Sequence, residues 1–332
     1  MNIDISTIQR EYSQKRINAL KENALYVQSV YNKSPELLNI ENEIKKLGLE
    51  ATKIALKKDQ NSSDEKVNEI LDKIKQLKKN KDDYLNKNGI SLKPKYDCEK
   101  CKDTGYITID AHTQMCTCMK QKLLDQYYNK YNQYKLKLEN FENFDDSIFS
   151  DKKNPEKYNS NDSPREHINK IKSLAIDFVE KFDEENSKNL LFTGNPGTGK
   201  TFISGCIANE LIKKGYTVLY QTAPLLLDAI FDYKFGSKSK TSKNLYDSLF
   251  DVDLLIIDDL GTENLSAAKF TELFSIINSR MLNPKTKTII SSNYDLNKLA
   301  KLYDERVISR LIGQYTGCRF FGDDIRLRNK NK

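Results

Sequence analysis

Gly194-Asn195-Pro196-Gly197-Thr198-Gly199-Lys200-Thr201 fits the pattern G-x-x-x-x-G-K-[ST] with every glycine at the required spacing. A loop that wraps a phosphate does so with its backbone N–H groups, and a Cβ at the glycine positions would obstruct the approach. In this reading Gly194 to Thr201 is the nucleotide cradle: Lys200 reaches the β- and γ-phosphates, and the Thr201 hydroxyl ligates Mg²⁺. The apolar run Leu190-Leu191-Phe192 precedes the loop and a helical pattern starting near Gly199 follows it. That helix points its positive end at the anion. The competing reading is a glycine turn that happens to adjoin a lysine.

Working outward, Leu254-Leu255-Ile256-Ile257-Asp258-Asp259 is an apolar strand ending in two acids. Asp258 is placed to hold Mg²⁺ directly or through water, and Asp259 to orient and deprotonate an attacking water. Thr288-Ile289-Ile290-Ser291-Ser292-Asn293 is a strand ending in a polar trio, with the Asn293 amide positioned to help hold that water. Asn293 also reads as a plain turn residue. Asp304-Glu305-Arg306-Val307-Ile308-Ser309-Arg310-Leu311 places Arg306 and Arg310 four apart on one helix face. They are either solvated, ion-paired arginines or charge-neutralising fingers for a γ-phosphate.

From His167 onward strand and helix alternate, with strands expected at Asn189–Thr193, Thr217–Gln221, Leu254–Asp258, Thr288–Ser292 and Cys318–Phe321. Such alternation means a parallel sheet with helices on both faces. The chain before it has a different texture. Leu37, Ile40, Ile44 and Leu47 form one helical seam, and Val67, Ile70, Ile74, Leu77 and Tyr84 a second, with Lys81 interrupting it. The polar break Lys57–Asp64 between them makes a helical hairpin the simplest arrangement, with a solvated spacer as the alternative.

Cys98-x-x-Cys101 and Cys116-x-Cys118 are two tight pairs joined by a short loop, a set that suits a structural, tetrahedral Zn²⁺. Gly105 would let the chain turn over the metal, and His112 is a competing ligand should Cys116 or Cys118 not take part. An iron–sulfur cluster and four incidental thiols are the other readings. Cys206 and Cys318 read as ordinary core residues.

Composition narrows the classes further. The 332 residues carry 38% hydrophobic and 30% charged side chains with 13 Gly and 7 Pro, which is neither a disordered nor a collagen-like balance. A net charge of +7 hints at an anionic partner without naming one. No apolar run approaches membrane-spanning length, and the first residues lack the apolar core of a secretory signal. With six Cys in a long chain, the expectation is a cytoplasmic protein with reduced or metal-bound thiols and no membrane partner.

Taken together, GNPGTGKT, LLIIDDLGTE, TIISSNYD, ERVISRLIG and a terminal GDDIR, in this order, resemble the AAA+ ATPases of the DnaC/DnaI-type replicative helicase loaders. Insertion-sequence transposition helpers and the initiator DnaA are similar in core. The resemblance spans roughly residues 167 to 328. It implies an α/β AAA+ P-loop NTPase with a parallel sheet, preceded by an N-terminal region carrying a small zinc-binding module; the helical character of that region is read from the seams alone. It further implies an ATP-dependent homo-oligomer that grips a hexameric replicative DNA helicase through its N-terminal half and touches single-stranded DNA during DNA replication. Arg310 would be the finger acting on a neighbouring subunit, Arg306 close behind it, and Arg326 the arginine that touches the bound nucleotide. Two departures stand out. Asp259 occupies a position where many such proteins have Glu, which favours a non-hydrolysing ATP-gated adaptor as one alternative; the nearby Glu263 reads as a loop carboxylate. The 139 residues from Gly194 to Lys332 leave no room for a separate helical lid. A transposition helper, binding duplex DNA and a transposase, is the other alternative.

The expected divisions are a helical region over 1–90, a zinc module over 91–125, helix and linker over 126–165 and the ATPase domain over 166–332. Lys234, Lys238, Lys240 and Lys243, interleaved with Tyr233, Phe235 and Tyr246, suit single-strand tracking with base stacking, or form a flexible solvated loop.

Overall fold

The computed structural model describes residues 5–56, 63–127, 138–236, 240–264 and 266–328. The chain forms two compact units, Met1–Gln114 and Met115–Lys332.

In the first unit three long helices, α1 (Ile5–Lys33), α2 (Pro35–Leu56) and α3 (Ser63–Lys87), precede a two-stranded sheet of β1 (Tyr106–Ile109) and β2 (His112–Met115). The seams expected for a hairpin are the faces along which α2 and α3 pack. Every seam position is buried or half-buried, with Leu37 and Ile70 the most enclosed, so the spacer reading fails. Lys81 interrupts its seam because its ammonium pairs with Glu41 at 2.7 Å and lies 5.7 Å from the Tyr31 ring centre. Most of the polar break, residues 57–62, lies outside the described residues. Asp110 and Ala111 both take positive φ, the conformation that a two-residue β-hairpin needs.

The second unit opens with α4 (Thr117–Tyr127). After it, the span expected to run as helix and linker to residue 165 already starts a helix at its end. Ser163 caps α5 (Pro164–Glu180) in a reciprocal capping box with Glu166, with Pro164 at the first turn where a missing N–H costs nothing. Then follow β3 (Asn189–Gly194), α6 (Lys200–Lys214), β4 (Val218–Thr222), α7 (Ala223–Phe235), α8 (Lys240–Asp251), β5 (Leu254–Asp258) and α9 (Ala267–Leu282). The order closes with β6 (Lys287–Ser292), α10 (Leu296–Leu302), α11 (Glu305–Gln314) and β7 (Tyr315–Phe320).

The sheet order is β4-β5-β6-β3-β7 and every pairing is parallel. Strand side chains alternate between two apolar layers, as the pleat dictates. Leu190, Phe192, Val218, Leu254, Ile256 and Ile289 face the α5–α6 side. Leu191, Leu219, Leu255, Ile257 and Ile290 face the side covered by α7 to α11. β7 starts three residues before the expected Cys318, because Tyr315 pairs with Asn189 and is itself buried. β4 sits one residue later than expected, in register with β5 from Val218↔Leu254 onward. The lysines expected in a loop are instead helical: Lys234 ends α7, while Lys240 and Lys243 lie on α8. Lys238 lies outside the described residues.

Candidate nucleotide-binding site

Parallel strands bring their carboxyl ends to one edge, so the loops after β3, β5 and β6 meet there. The β3 loop needs its glycines for reasons that can be measured. A Cβ on Gly194, at φ +136°, would lie 1.9 Å from the Phe320 carbonyl oxygen. One on Gly197, at φ +70°, would lie 1.8 Å from the Asp324 carboxylate. Gly199, left-handed at φ +101°, caps α6, and the helix begins at Lys200, one residue after the expected start. Thr198 braces the loop from inside by donating to the Asn195 carbonyl at 2.7 Å.

Lys200 is buried and donates to the Gly194 and Asn195 carbonyls at 2.6 and 2.8 Å. Burial pushes its pKa down to about 8; the charges of Asp259 and Asp258 oppose the shift and Arg326 adds to it. The ammonium thus lies folded into the loop that a phosphate would enter.

Asp258 is buried at the end of β5 and receives three hydroxyls. Thr201 donates to Oδ2 at 3.1 Å, Tyr220 donates to the same oxygen at 2.5 Å, and Ser291 donates to Oδ1. Asp259 follows in the left-handed region at φ +58°. Asp and Asn enter that region more readily than longer side chains, a local reason for Asp where Glu was the family expectation. The Asn293 amide donates to Asp259 Oδ1 at 3.1 Å, and the Asp259 N–H donates to Ser291 Oγ at 3.2 Å. Glu263 is withdrawn: it accepts from the Gly261 N–H at 2.8 Å and from the Tyr303 hydroxyl.

One cavity of about 300 Å³ opens here, and its walls include Pro196, Gly197, Lys200, Thr201, Asp259 and Asn293. Arg326 reaches it from the C-terminal turn, its guanidinium held by Asp324 at 2.6 and 2.9 Å, while the Ile325 N–H donates to the Gly197 carbonyl at 3.0 Å. An apolar recess of about 110 Å³ opens beside Gly199, lined by Phe144, Ile148, Phe149, Ile168 and Phe202. A cradle of N–H groups, a lysine, a hydroxyl paired with a buried carboxylate, and a second carboxylate held by an amide make a site for a nucleoside triphosphate with its divalent cation.

Residues 121–332 match the IstB-like ATP binding protein family. The chain belongs to that family. Its curated relatives include the replicative helicase loader DnaC of Escherichia coli K12, 32% identical over 161 residues that cover 48% of this chain and 64% of that protein. DnaC of Buchnera aphidicola subsp. Schizaphis graminum is 33% identical over 158 residues, 47% of this chain and 63% of the relative. The chain therefore spans less than two-thirds of the length of the relatives it matches. Among solved structures, a crystal structure of the DnaC helicase loader is 29% identical, covering 46% of this chain and 89% of that one, with a TM-score of 0.41. A DnaI crystal structure is 27% identical over 50% of this chain and 86% of that one, with a TM-score of 0.41.

Within this IstB-like unit, the structure brings together every expected nucleotide-site residue except two. Arg306 and Arg310 lie on α11, outside the cavity. Both guanidinium groups cover the Phe274 ring, at 5.4 and 5.0 Å from its centre. Arg306 is also paired with the helix-capping Asp304 at 3.0 Å, and Arg310 donates to Asn278 at 3.3 Å. Tyr220 and the apolar recess had no sequence signal, since their partners lie far away along the chain. Of the lysines proposed for DNA, Lys234 already pairs with the buried Glu272 at 2.6 Å and stands over Tyr246.

The four cysteines also converge. The Sγ atoms of Cys98, Cys101, Cys116 and Cys118 all lie within 4.8 Å of one another. Four sulfurs at about 2.3 Å around one centre would be about 3.8 Å apart, so the donors fit a tetrahedral thiophilic ion such as Zn²⁺. Supporting contacts are in place: the Gly105 N–H, at φ +77°, donates to Cys101 Sγ at 3.3 Å. Asp103 accepts the N–H groups of Asp97 and Cys98 at 3.0 and 2.9 Å. His112 is exposed on β2 and stands outside the cluster.

Proposed function

We propose that this protein is an ATP-hydrolysing loader of the replicative DNA helicase, oligomeric when ATP is bound. It would bind the helicase through its N-terminal half and single-stranded DNA through the ATPase unit. The observation that carries the ATP reading is the single cavity in which Lys200, Thr201, Asp259, Asn293 and Arg326 meet, with Asp258 joined to its wall through the Thr201 hydroxyl. The loading reading is supported by the identity with proteins named replicative helicase loader DnaC.

In this reading Gly194 to Gly199 wrap the β- and γ-phosphates, and Lys200 turns from the loop carbonyls to the phosphate oxygens. Mg²⁺, when bound, would neutralise phosphate charge between Thr201 and Asp258. Asp259 takes the proton of the attacking water while Asn293 keeps its carboxylate aimed. Arg326 faces the bound nucleotide, whereas Arg310, with Arg306 behind it, would serve a neighbouring subunit's nucleotide. Zn²⁺ on Cys98, Cys101, Cys116 and Cys118 would fix the knuckle before α4.

Full-length protein should bind a hexameric replicative helicase and, with ATP, transfer it onto closed circular single-stranded DNA, measured by co-sedimentation of helicase with the circle. Failure to bind helicase, with capture of a transposase and duplex DNA instead, would replace loading by transposition help. The IstB-like family match makes that arm worth running. Helicase transfer by Asp259→Asn protein with no ATP turnover would point to an ATP-gated adaptor.

A further inference from the structure

Asp258 is gripped from both neighbouring strands: Ser291 on β6 holds Oδ1, and Tyr220 on β4 holds Oδ2 at 2.5 Å. The Tyr220 ring is buried in the layer under α5 and α6, so its hydroxyl cannot swing elsewhere without β4 moving. β4 is the edge of the sheet, with β5 as its only strand neighbour among the described residues. On its outer side a side chain stands where another strand would pair. Gln121 of α4 accepts the Val218 N–H at 2.7 Å through Oε1 and donates to the Val218 carbonyl at 3.0 Å through Nε2. Gln121 is itself buried and braced by Asp125 at 2.8 Å. Its helix carries Cys118 in the first turn, directly after Cys116, whose carbonyl accepts the Met119 and Lys120 N–H groups.

We propose that Tyr220 is a positioning residue for the cation ligand Asp258, and that Gln121 sets the strand which carries it, so that the seating of α4 is read at the Mg²⁺ site. The path is short: Gln121 to Val218, two residues along a pleated strand to Tyr220, then one hydrogen bond to the carboxylate. A hydrogen bond of 2.5 Å tolerates little sliding, so a shift of β4 by a fraction of a residue would release Oδ2. Residues that orient a metal ligand through its free lone pairs commonly change metal affinity about 10- to 100-fold when removed. A helix beginning at two clustered cysteines is thereby linked to the cation without touching the nucleotide. The inference rests on the ATP reading above.

The test uses the full chain and a fluorescent ATP analogue, titrated with Mg²⁺ and, separately, in EDTA. Tyr220→Phe should raise the Mg²⁺ concentration for half-maximal nucleotide binding about tenfold while leaving the affinity in EDTA unchanged. Gln121→Met should move the same quantity in the same direction, and the double variant should be no worse than Tyr220→Phe. Gln121→Glu keeps the acceptor for the Val218 N–H but loses the donor, and should fall between wild type and Gln121→Met. It serves as the probe if Gln121→Met does not fold. An unchanged Mg²⁺ requirement in Tyr220→Phe, an equal loss in EDTA, or additive effects in the double variant would overturn the coupling. A wild-type protein whose ATP binding ignores Mg²⁺ would overturn this inference alone, whereas one that binds no ATP analogue under either condition would overturn the ATP reading, and this inference with it.

Discussion

The two units of the chain solve the problem of burial in opposite ways. The Met115–Lys332 unit stacks helices on both faces of a five-stranded sheet, and strand residues such as Leu190, Leu219, Leu255, Ile256 and Ile289 are sealed from solvent. The Met1–Gln114 unit lays long helices side by side with half-buried seams, leaving Ile17, Leu25, Leu49 and Leu56 more than half exposed. In the first case the sequence must satisfy a sheet, its helices and a phosphate at once, so its motifs are dense. In the second only a periodicity is required. A chemical site constrains sequence far more than a helical scaffold does, and the family match begins at residue 121, just past the four clustered cysteines.

The largest effect is expected at Arg280, in the core of the second unit. Its guanidinium is buried among neutral acceptors, donating to the Leu249 and Lys287 carbonyls at 2.9 and 2.7 Å and to Thr288 at 3.0 Å. Arg280→Ala should leave a cavity and orphaned carbonyls, costing about 4 kcal/mol and lowering the thermal midpoint of the second unit. A midpoint within a degree of wild type would show that this core is less exacting than its packing implies.

Next in size is Lys200→Ala, which should weaken ATP binding by about 3 kcal/mol, on the order of 100-fold, by isothermal titration. Because the lost group is a buried charge, the unliganded protein should melt no earlier than wild type. A large drop in stability instead would mean that the lysine is structural. In the first unit, Lys81→Met should cost only about 1 kcal/mol, since the Glu41 pair is half-buried and Tyr31 still donates to Glu41. The hydrogen bond from Lys81, more than any other contact, holds the Glu41 carboxyl below its usual range. The stability from that depressed pKa is present above the ordinary Glu value and disappears as pH falls through the lowered one. Denaturant melts of wild type and Lys81→Met should therefore converge in acid.

The smallest effect concerns pH and the same Lys200. With its pKa at about 8, the ammonium is lost from unliganded protein at a pH where an unfolded lysine keeps its proton. Above pH 8 ATP must therefore recruit a proton as it binds, so affinity should fall with rising pH. Over the same interval the unliganded fold should gain stability, because the unfolded chain holds the extra proton. Calorimetry in buffers of different ionisation enthalpy reads the proton directly, and no uptake at pH 8.5 would refute it.

What could be read from the sequence follows the range of the interactions. Gly194 to Thr201 act over eight consecutive residues, and the two cysteine pairs over twenty-one, so both were legible. Asp258, Asp259 and Asn293 were legible because each sits at the end of an apolar strand, a pattern as local as the loop. Tyr220 was not: its role depends on a partner 38 residues away, and as a strand aromatic it looks like ordinary core. Gln121 and Val218 are 97 apart, and nothing near either one hints at the other. The apolar recess joins residues 143–149, in the span expected to be helix and linker, to Ile168, Phe202 and Ile325, which are distant along the chain. The linker was expected to reach residue 165, whereas the capping box of Ser163 and Glu166 starts the helix at Pro164.

The amide of Gln121 also bears on how the protein avoids sticking to itself. An all-parallel sheet ends in a strand whose outward N–H and C=O groups invite another chain to add on, the first step of aggregation. At the β4 edge, that invitation is answered at Val218 by a side-chain amide, which offers one donor and one acceptor in the spacing of a peptide group. A glutamine in this place acts as a counterfeit strand one residue long. Exchanging it for an apolar residue would expose a backbone edge in a protein that already carries many exposed leucines, so poor solubility should accompany the loss of Gln121 before any loss of fold.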